Sequence, residues 1–233
     1  MATLLLRFAA PLQSWGIDSK FNTRKTGREP SKSGVVGMLA AALGYERDEA
    51  DKLNTLNALR FGVRTDREGK LLCDYQTAQQ KNEKHPDITY RYYLSDAIFL
   101  VGIEGEQEWL EKLQYALTHP VFPLYLGRRS CPPTMPLCLA IRDLPLEAAL
   151  RAEPPLDKSP RRAENMRITM DAIDGNAVAQ HDLPLSFDQR HRMYGYRGVI
   201  EAESVCSPKT KAAEQIQHDP FAELEDEPCI FPE

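Results

Sequence analysis

Four cations crowd the stretch NTRKTGREPSKSG, residues 22–34: Arg24, Lys25, Arg28 and Lys32 stand against one acid, Glu29. Its Gly, Pro, Ser and Thr content rules out a regular element, and the small apolar run VVGMLAAALG that follows predicts a buried helix. A helix N-terminus exposes unpaired N–H groups and partial positive charge, and Ser31 or Ser33 can cap it. With Arg24, Arg28 and Lys32 beside Ser33 and Gly34, a backbone phosphate is a fitting guest. The alternative is a solvated loop whose cations pair with nearby acids. The pattern of a nucleotide-hydrolysing P-loop fails here, because Lys32 stands where its second glycine should be and Pro30 lies inside the loop.

A second irregular stretch repeats this chemistry. GRRSCP, residues 127–132, places Arg128 and Arg129 beside a glycine, and each guanidinium can hold a phosphate with two hydrogen bonds. TYRYYL, residues 89–94, interleaves Tyr90, Tyr92 and Tyr93 with Arg91, a composition suited to stacking unpaired bases; the alternative is a strand with an aromatic core face. General acid–base cleavage of RNA would call on His85 with Lys84, or on His119, but His119-Pro120 reads as a helix-ending turn. His181, His191 and His218 are isolated. Asp171 and Asp174 lack further metal ligands at suitable spacing and fit a turn better. The residues point to an anion that is bound rather than cut, with no catalytic residue, metal or cofactor expected.

The elements that must position these residues alternate. Strands are predicted at 3–10, 60–66, 71–78, 89–104 and 137–143, with a hairpin turn at 67–70. Helices are predicted at 33–43, closed by Gly44, and at 47–59, 106–120 and 145–150. The order is close to β-α-β-β-α-β, the ferredoxin-like plan shared with RNA-recognition modules, carrying an extra helix and an inserted hairpin. Residues 152–163 read as a linker, and strands near 164–171 and 193–202 as a small β-rich lobe.

Bulk properties agree with a soluble protein of 233 residues, 42% hydrophobic and 27% charged. No stretch is apolar enough for a membrane span, and five cysteines without a C-x-x-C pair fit a reducing cytoplasm. The net charge of −5 hides an asymmetry: residues 212–233 contain seven acids and no Lys or Arg, so the remainder is mildly basic.

LLLRFAAPLQSWG, TRKTGREPSKSGVVGMLAAALG and YLGRRSCPPTMPL, with CDYQTAQ and TYRYYLSDAIFLV between them, occur in an order that resembles a known family. They resemble the Cas-five-type RAMP subunits of the type I-E CRISPR surveillance complex called Cascade, over roughly residues 3–142. The resemblance implies an α+β chain with three parts. Residues 1–150 would form an RRM-like RAMP domain with a thumb at about 71–97, 151–203 a small β-rich C-terminal lobe, and 204–233 an acidic tail.

It also implies a noncatalytic role in antiviral defence: gripping the 5′ handle of the CRISPR RNA and capping the filament of backbone subunits. A large PAM-reading subunit would dock nearby, and target DNA would be met only through the complex. On this resemblance Arg24, Arg28, Lys32, Ser33 and Gly34 hold handle phosphates, and Arg128 and Arg129 a second segment of the handle. Gln13, Ser14 and Trp15 contact bases or support the loop, and Tyr90 and Arg91 meet the boundary nucleotide or a backbone subunit. Related systems in which such a subunit cuts the repeat keep a metal-independent endoribonuclease as the alternative.

Overall fold

The run ATLLLRFA forms the first strand, β1 (Ala2–Ala9), and its near-continuous burial follows from its place inside a sheet covered on both faces. In this computed structural model, which describes residues 1–16, 22–79, 87–157, 165–173, 175 and 177–205, β1 is flanked by two antiparallel partners. They are β7 (Ile98–Gly105) and β8 (Cys138–Arg142). Beyond β7 lies β4 (Arg60–Arg67), then β9 (Asn165–Asp171), β11 (Met193–Val205) and β10 (Val178–Ser186). The resulting order is β10-β11-β9-β4-β7-β1-β8, antiparallel at each pairing.

Alternation along β1 divides the core. Leu4, Leu6 and Phe8 join one cluster with helices α1 (Lys32–Leu43), α2 (Ala50–Asn57) and α3 (Gln107–Thr118). Leu5 joins the other, under α4 (Leu146–Ala152), with Leu146, Leu150, Ile168 and Met170. Ser31 caps α1 by accepting the Gly34 N–H at 3.2 Å, and Gly44 closes it with φ of 75°.

A smaller sheet is built around β6 (Asp87–Ser95). It pairs along its length with β5 (Lys70–Ala78), and on its other side with β2 (Leu12–Gln13) and, in parallel, with β3 (Thr23–Arg24). The single strand expected over 89–104 is therefore two strands in different sheets. Asp96, at φ of 57°, turns the chain between them; Asp tolerates that left-handed conformation through its short polar side chain. The hairpin turn expected at 67–70 is also corrected: β4 and β5 do not pair, and the chain passes from one sheet to the other. Gly69 allows this, since a Cβ there would sit 2.9 Å from the Ser95 carbonyl oxygen.

The strands expected of a C-terminal lobe pair onto β4 and continue the large sheet. β10 is absent from the sequence reading because VAQHDLPLS lacks clean alternation; its Pro184 is tolerated on an edge strand. The expected linker is anchored through Asp157. Arg64, fully buried, binds Asp66 at 2.7 and 2.8 Å and the carbonyls of Leu150, Glu153 and Pro154, while Arg67 grips Asp157 at 2.6 and 2.8 Å.

Candidate nucleic-acid interface

The N-terminus of α1 already holds an anion, and it is a carboxylate of the protein. The Lys32 N–H donates to Asp182 Oδ2 at 2.8 Å, so Asp182 of β10 occupies the position expected for a phosphate. The Lys32 ammonium turns inward, 2.8 Å from Asp171 Oδ2 and 3.0 Å from the Leu59 carbonyl. Arg197 of β11 closes the cluster, 2.6 Å from Asp171 Oδ1 and 2.6 Å from Asp182 Oδ1. Burial works against the Arg197 charge, but Asp182 and Asp171 outweigh it and hold the guanidinium above its ordinary value.

The expectation that Lys32 binds phosphate is thereby corrected, while Ser33 and Gly34 make local contacts within the turn. Lys32 is 5% exposed and paired, Ser33 Oγ lies 3.3 Å from Ser31 Oγ, and the Gly34 N–H is taken by the cap. Gly34 instead makes room for an aromatic ring, since a Cβ there would meet Trp15 Cε3 at 2.9 Å. Glu29, the loop's one acid, is drawn to β9, accepting from Thr169 Oγ1 at 3.0 Å and pairing with Arg167 at 3.4 Å. Burial pushes its carboxyl above the ordinary range against those contacts.

The loop's other cations have a different fate. Arg24, Lys25 and Arg28 are exposed, and their side chains have no partner among the described residues. The parallel pairing of β3 with β6 sets Arg24 beside Arg91. Arg128 then joins the two basic stretches: its Nη2 donates to the Arg24 carbonyl at 2.9 Å while its guanidinium lies 4.6 Å over the Tyr93 ring. Gly127, at φ of +86°, makes the turn that brings Arg128 here, where a side chain would strike the Ser14 carbonyl. Arg91 Nε and Arg128 Nη1 are buried with no acceptor among the described residues. Arg129 is exposed on the rim of a cleft of about 760 Å³ that also touches Ser33 and Gly34.

Gln13, Ser14 and Trp15 support these loops and are too buried to reach a base. Gln13 Nε2 donates to the Ala97 carbonyl at 2.8 Å, and Ser14 Oγ to that of Tyr92 at 3.1 Å. Trp15 stacks on Phe8 with centroids 5.5 Å apart, and its carbonyl accepts the Gly27 N–H at 2.5 Å. Of the tyrosines, Tyr93 is core, whereas Tyr90 is 41% exposed and meets Tyr75 edge-on at 5.7 Å.

Among the residues weighed for cleavage, His119 stacks on Tyr115 at the end of α3, 4.6 Å between centroids. Asp171 is committed to Lys32 and Arg197. His85, Lys84, Asp174 and His218 lie outside the described residues, as does the tail from 206. The sequence reading missed Asp182, Arg197, and the cleft residues Arg47, Arg192 and Tyr194. The run RHRMYGYR, 190–197, held a signal for the last two.

This geometry has counterparts. The family model described as CRISPR-associated protein (Cas_Cas5) matches residues 3–200. The chain belongs to the Cas5 family. It is 37% identical to the CRISPR system Cascade subunit CasD of Escherichia coli (strain K12), over 65% of this chain and 77% of that relative. Among solved structures, one described as a Cas protein superimposes with a TM-score of 0.69 at 42% identity, covering 88% of this chain and 95% of that one. A chain from a CRISPR RNA-guided surveillance complex gives 0.74 at 32% identity, covering 87% and 90%. The α+β arrangement of antiparallel sheets is thus that of solved Cas proteins, and no helix among the described residues of this Cas5-family chain is long and apolar enough to cross a membrane.

Proposed function

We propose that this Cas5-family protein is a noncatalytic, cytoplasmic RNA-binding subunit of a type I-E Cascade complex, gripping the 5′ handle of the CRISPR RNA in antiviral defence. The observation that carries this reading is the junction of Arg24, Arg91 and Arg128. Arg24 and Arg91 are register partners on adjacent strands, Arg128 bonds the Arg24 backbone carbonyl, and Arg91 and Arg128 each keep a buried N–H group that lacks an acceptor among the described residues. Gathering like charges is unfavourable unless an anion compensates them, and the phosphates of a single strand supply anions at regular spacing. Arg28 and Arg129 extend the grip on either side.

The fold supports the same reading. The order β8-β1-β7-β4, with α1 and α3 on one face, supports a ferredoxin-like RAMP core. In this reading residues 1–150 are that domain, β5 and β6 are its thumb, 151–203 is a C-terminal lobe sharing its sheet, and 204–233 is the acidic tail. Tyr90 and Arg91 on the thumb would meet the handle–spacer boundary or a backbone subunit whose filament this chain caps. The large PAM-reading subunit would dock alongside, bringing target DNA through the complex.

Incubating the purified protein with labelled repeat RNA in EDTA, followed by ultraviolet crosslinking, tests this. Intact RNA joined to peptides within 22–28, 89–94 and 125–131 is expected. Clean metal-independent cleavage would overturn the noncatalytic role, and crosslinks lying wholly elsewhere would overturn the grip.

A further inference from the structure

The β10–β11 hairpin carries a second basic and aromatic surface that the handle grip does not use. Its turn holds Arg190 and Arg192, both exposed and without a side-chain partner among the described residues. Tyr194 and Tyr196 follow two residues apart on one face of β11. His181 of β10 lies with them, its ring 4.6 Å from that of Tyr196 and 6.4 Å from that of Tyr194. His181 Nε2 is 3.1 Å from the Tyr194 carbonyl, which fixes the imidazole in this array.

Next to these residues in sequence, Asp182 and Arg197 are drawn into the buried ion cluster with Lys32. The inner face of the hairpin is thus pinned while the outer rings stay open, Tyr196 being 70% exposed. Exposed rings flanked by guanidinium groups without a partner among the described residues have the makings of a stacking platform for unpaired bases, with phosphate contacts at its edge. Arg192 and Tyr194 also line the cleft whose far rim is Arg129, so this surface is continuous with the first one.

We propose that the outer face of the β10–β11 hairpin is a second contact for single-stranded nucleic acid. Bases stack on His181, Tyr194 and Tyr196, and phosphates meet Arg190 and Arg192. This extends the RNA reading to a new surface, and the test separates the two.

The full-length chain is titrated into fluorescein-labelled oligouridine RNA and oligothymidine DNA of equal length, read by anisotropy. The Tyr194→Ala/Tyr196→Ala variant is expected to bind roughly tenfold more weakly, given what stacking contributes per base. Tyr194→Phe/Tyr196→Phe keeps the rings and should retain affinity, and Arg190→Ala/Arg192→Ala should weaken binding and flatten its salt dependence. An equal loss on RNA and DNA supports a surface that reads bases and phosphates of either strand; a loss on RNA alone supports one serving the CRISPR RNA. Unchanged affinity of Tyr194→Ala/Tyr196→Ala for both oligomers overturns the inference. If Arg24→Ala/Arg28→Ala still weakens RNA binding in that case, the handle reading stands. Tyr194→Ala/Tyr196→Ala losing a protein subunit from the assembled complex, with both affinities intact, would make the hairpin a protein interface and also overturn it.

Discussion

Arg24 and Lys32 belong to one basic loop, yet they belong to different parts of the protein's chemistry. Lys32 enters a nearly dry cluster in which Asp171, Asp182 and Arg197 balance it. Arg24 lies on the surface beside Arg91 and Arg128 with no carboxylate bonded to any of the three among the described residues. The difference comes from acids that lie about 140–150 residues further along the chain and return to α1 through the large sheet. A cation in a loop therefore signals an external anion only after the fold has supplied its own candidates.

The strongest test of this contrast is on the internal side. Asp182→Ala leaves Arg197 short of one partner and uncovers the α1 N-terminus, with an expected loss of about 3–5 kcal/mol. That lowers the thermal midpoint by about 2–4 °C per kcal/mol in a chain of this size, measured by calorimetry. Lys32→Met retains the pairing of Asp171 with Arg197 and costs less, about 1–3 kcal/mol, with no change in RNA affinity at temperatures where the variant is folded.

On the external side, Arg128→Ala removes the bond to the Arg24 carbonyl and the contact with Tyr93, an expected stability loss of about 1 kcal/mol. Handle RNA should bind it several-fold more weakly in a gel-shift titration, which separates it from Lys32→Met. Glu29 sharpens the contrast through pH. Its carboxyl is raised by burial, so the folded chain holds its proton more tightly than the unfolded one. Stability is therefore greatest below the ordinary glutamate value and falls as pH rises through the raised one. Glu29→Gln should flatten that part of a stability–pH curve; an unchanged curve would mean that Arg167 and Thr169 cancel the burial.

Much of this architecture is legible in the sequence because it is local. The apolar run of β1, the Ser31 cap, the Gly44 stop and the leucine spacing of α3 each report their own surroundings. What the sequence concealed depends on distant partners. Asp182 lies in an edge strand that contains Pro184 and lacks clean alternation, and nothing near it marks a helix N-terminus as its target. The run TYRYYLSDAIFLVGIE looks like one strand because both halves favour extended backbone; Asp96 divides it between two sheets. Gln13, Ser14 and Trp15 are buried beside the basic loops, and their hydrogen bonds and packing hold those loops in place. Arg91 meets Arg24 through the pairing of β6 with β3, and Arg128 reaches it through a hydrogen bond to its carbonyl, both contacts between residues far apart in sequence.

The most direct measure of the central claim is the slope of log affinity against log salt for handle RNA. Each phosphate contact on a single strand contributes about 0.7 to that slope. The account predicts that Arg24→Ala/Arg28→Ala flattens it by about 1.4, while Lys32→Met leaves it at the wild-type value. A slope unchanged in the double variant, or flattened by Lys32→Met, would contradict the division between the two ends of the loop.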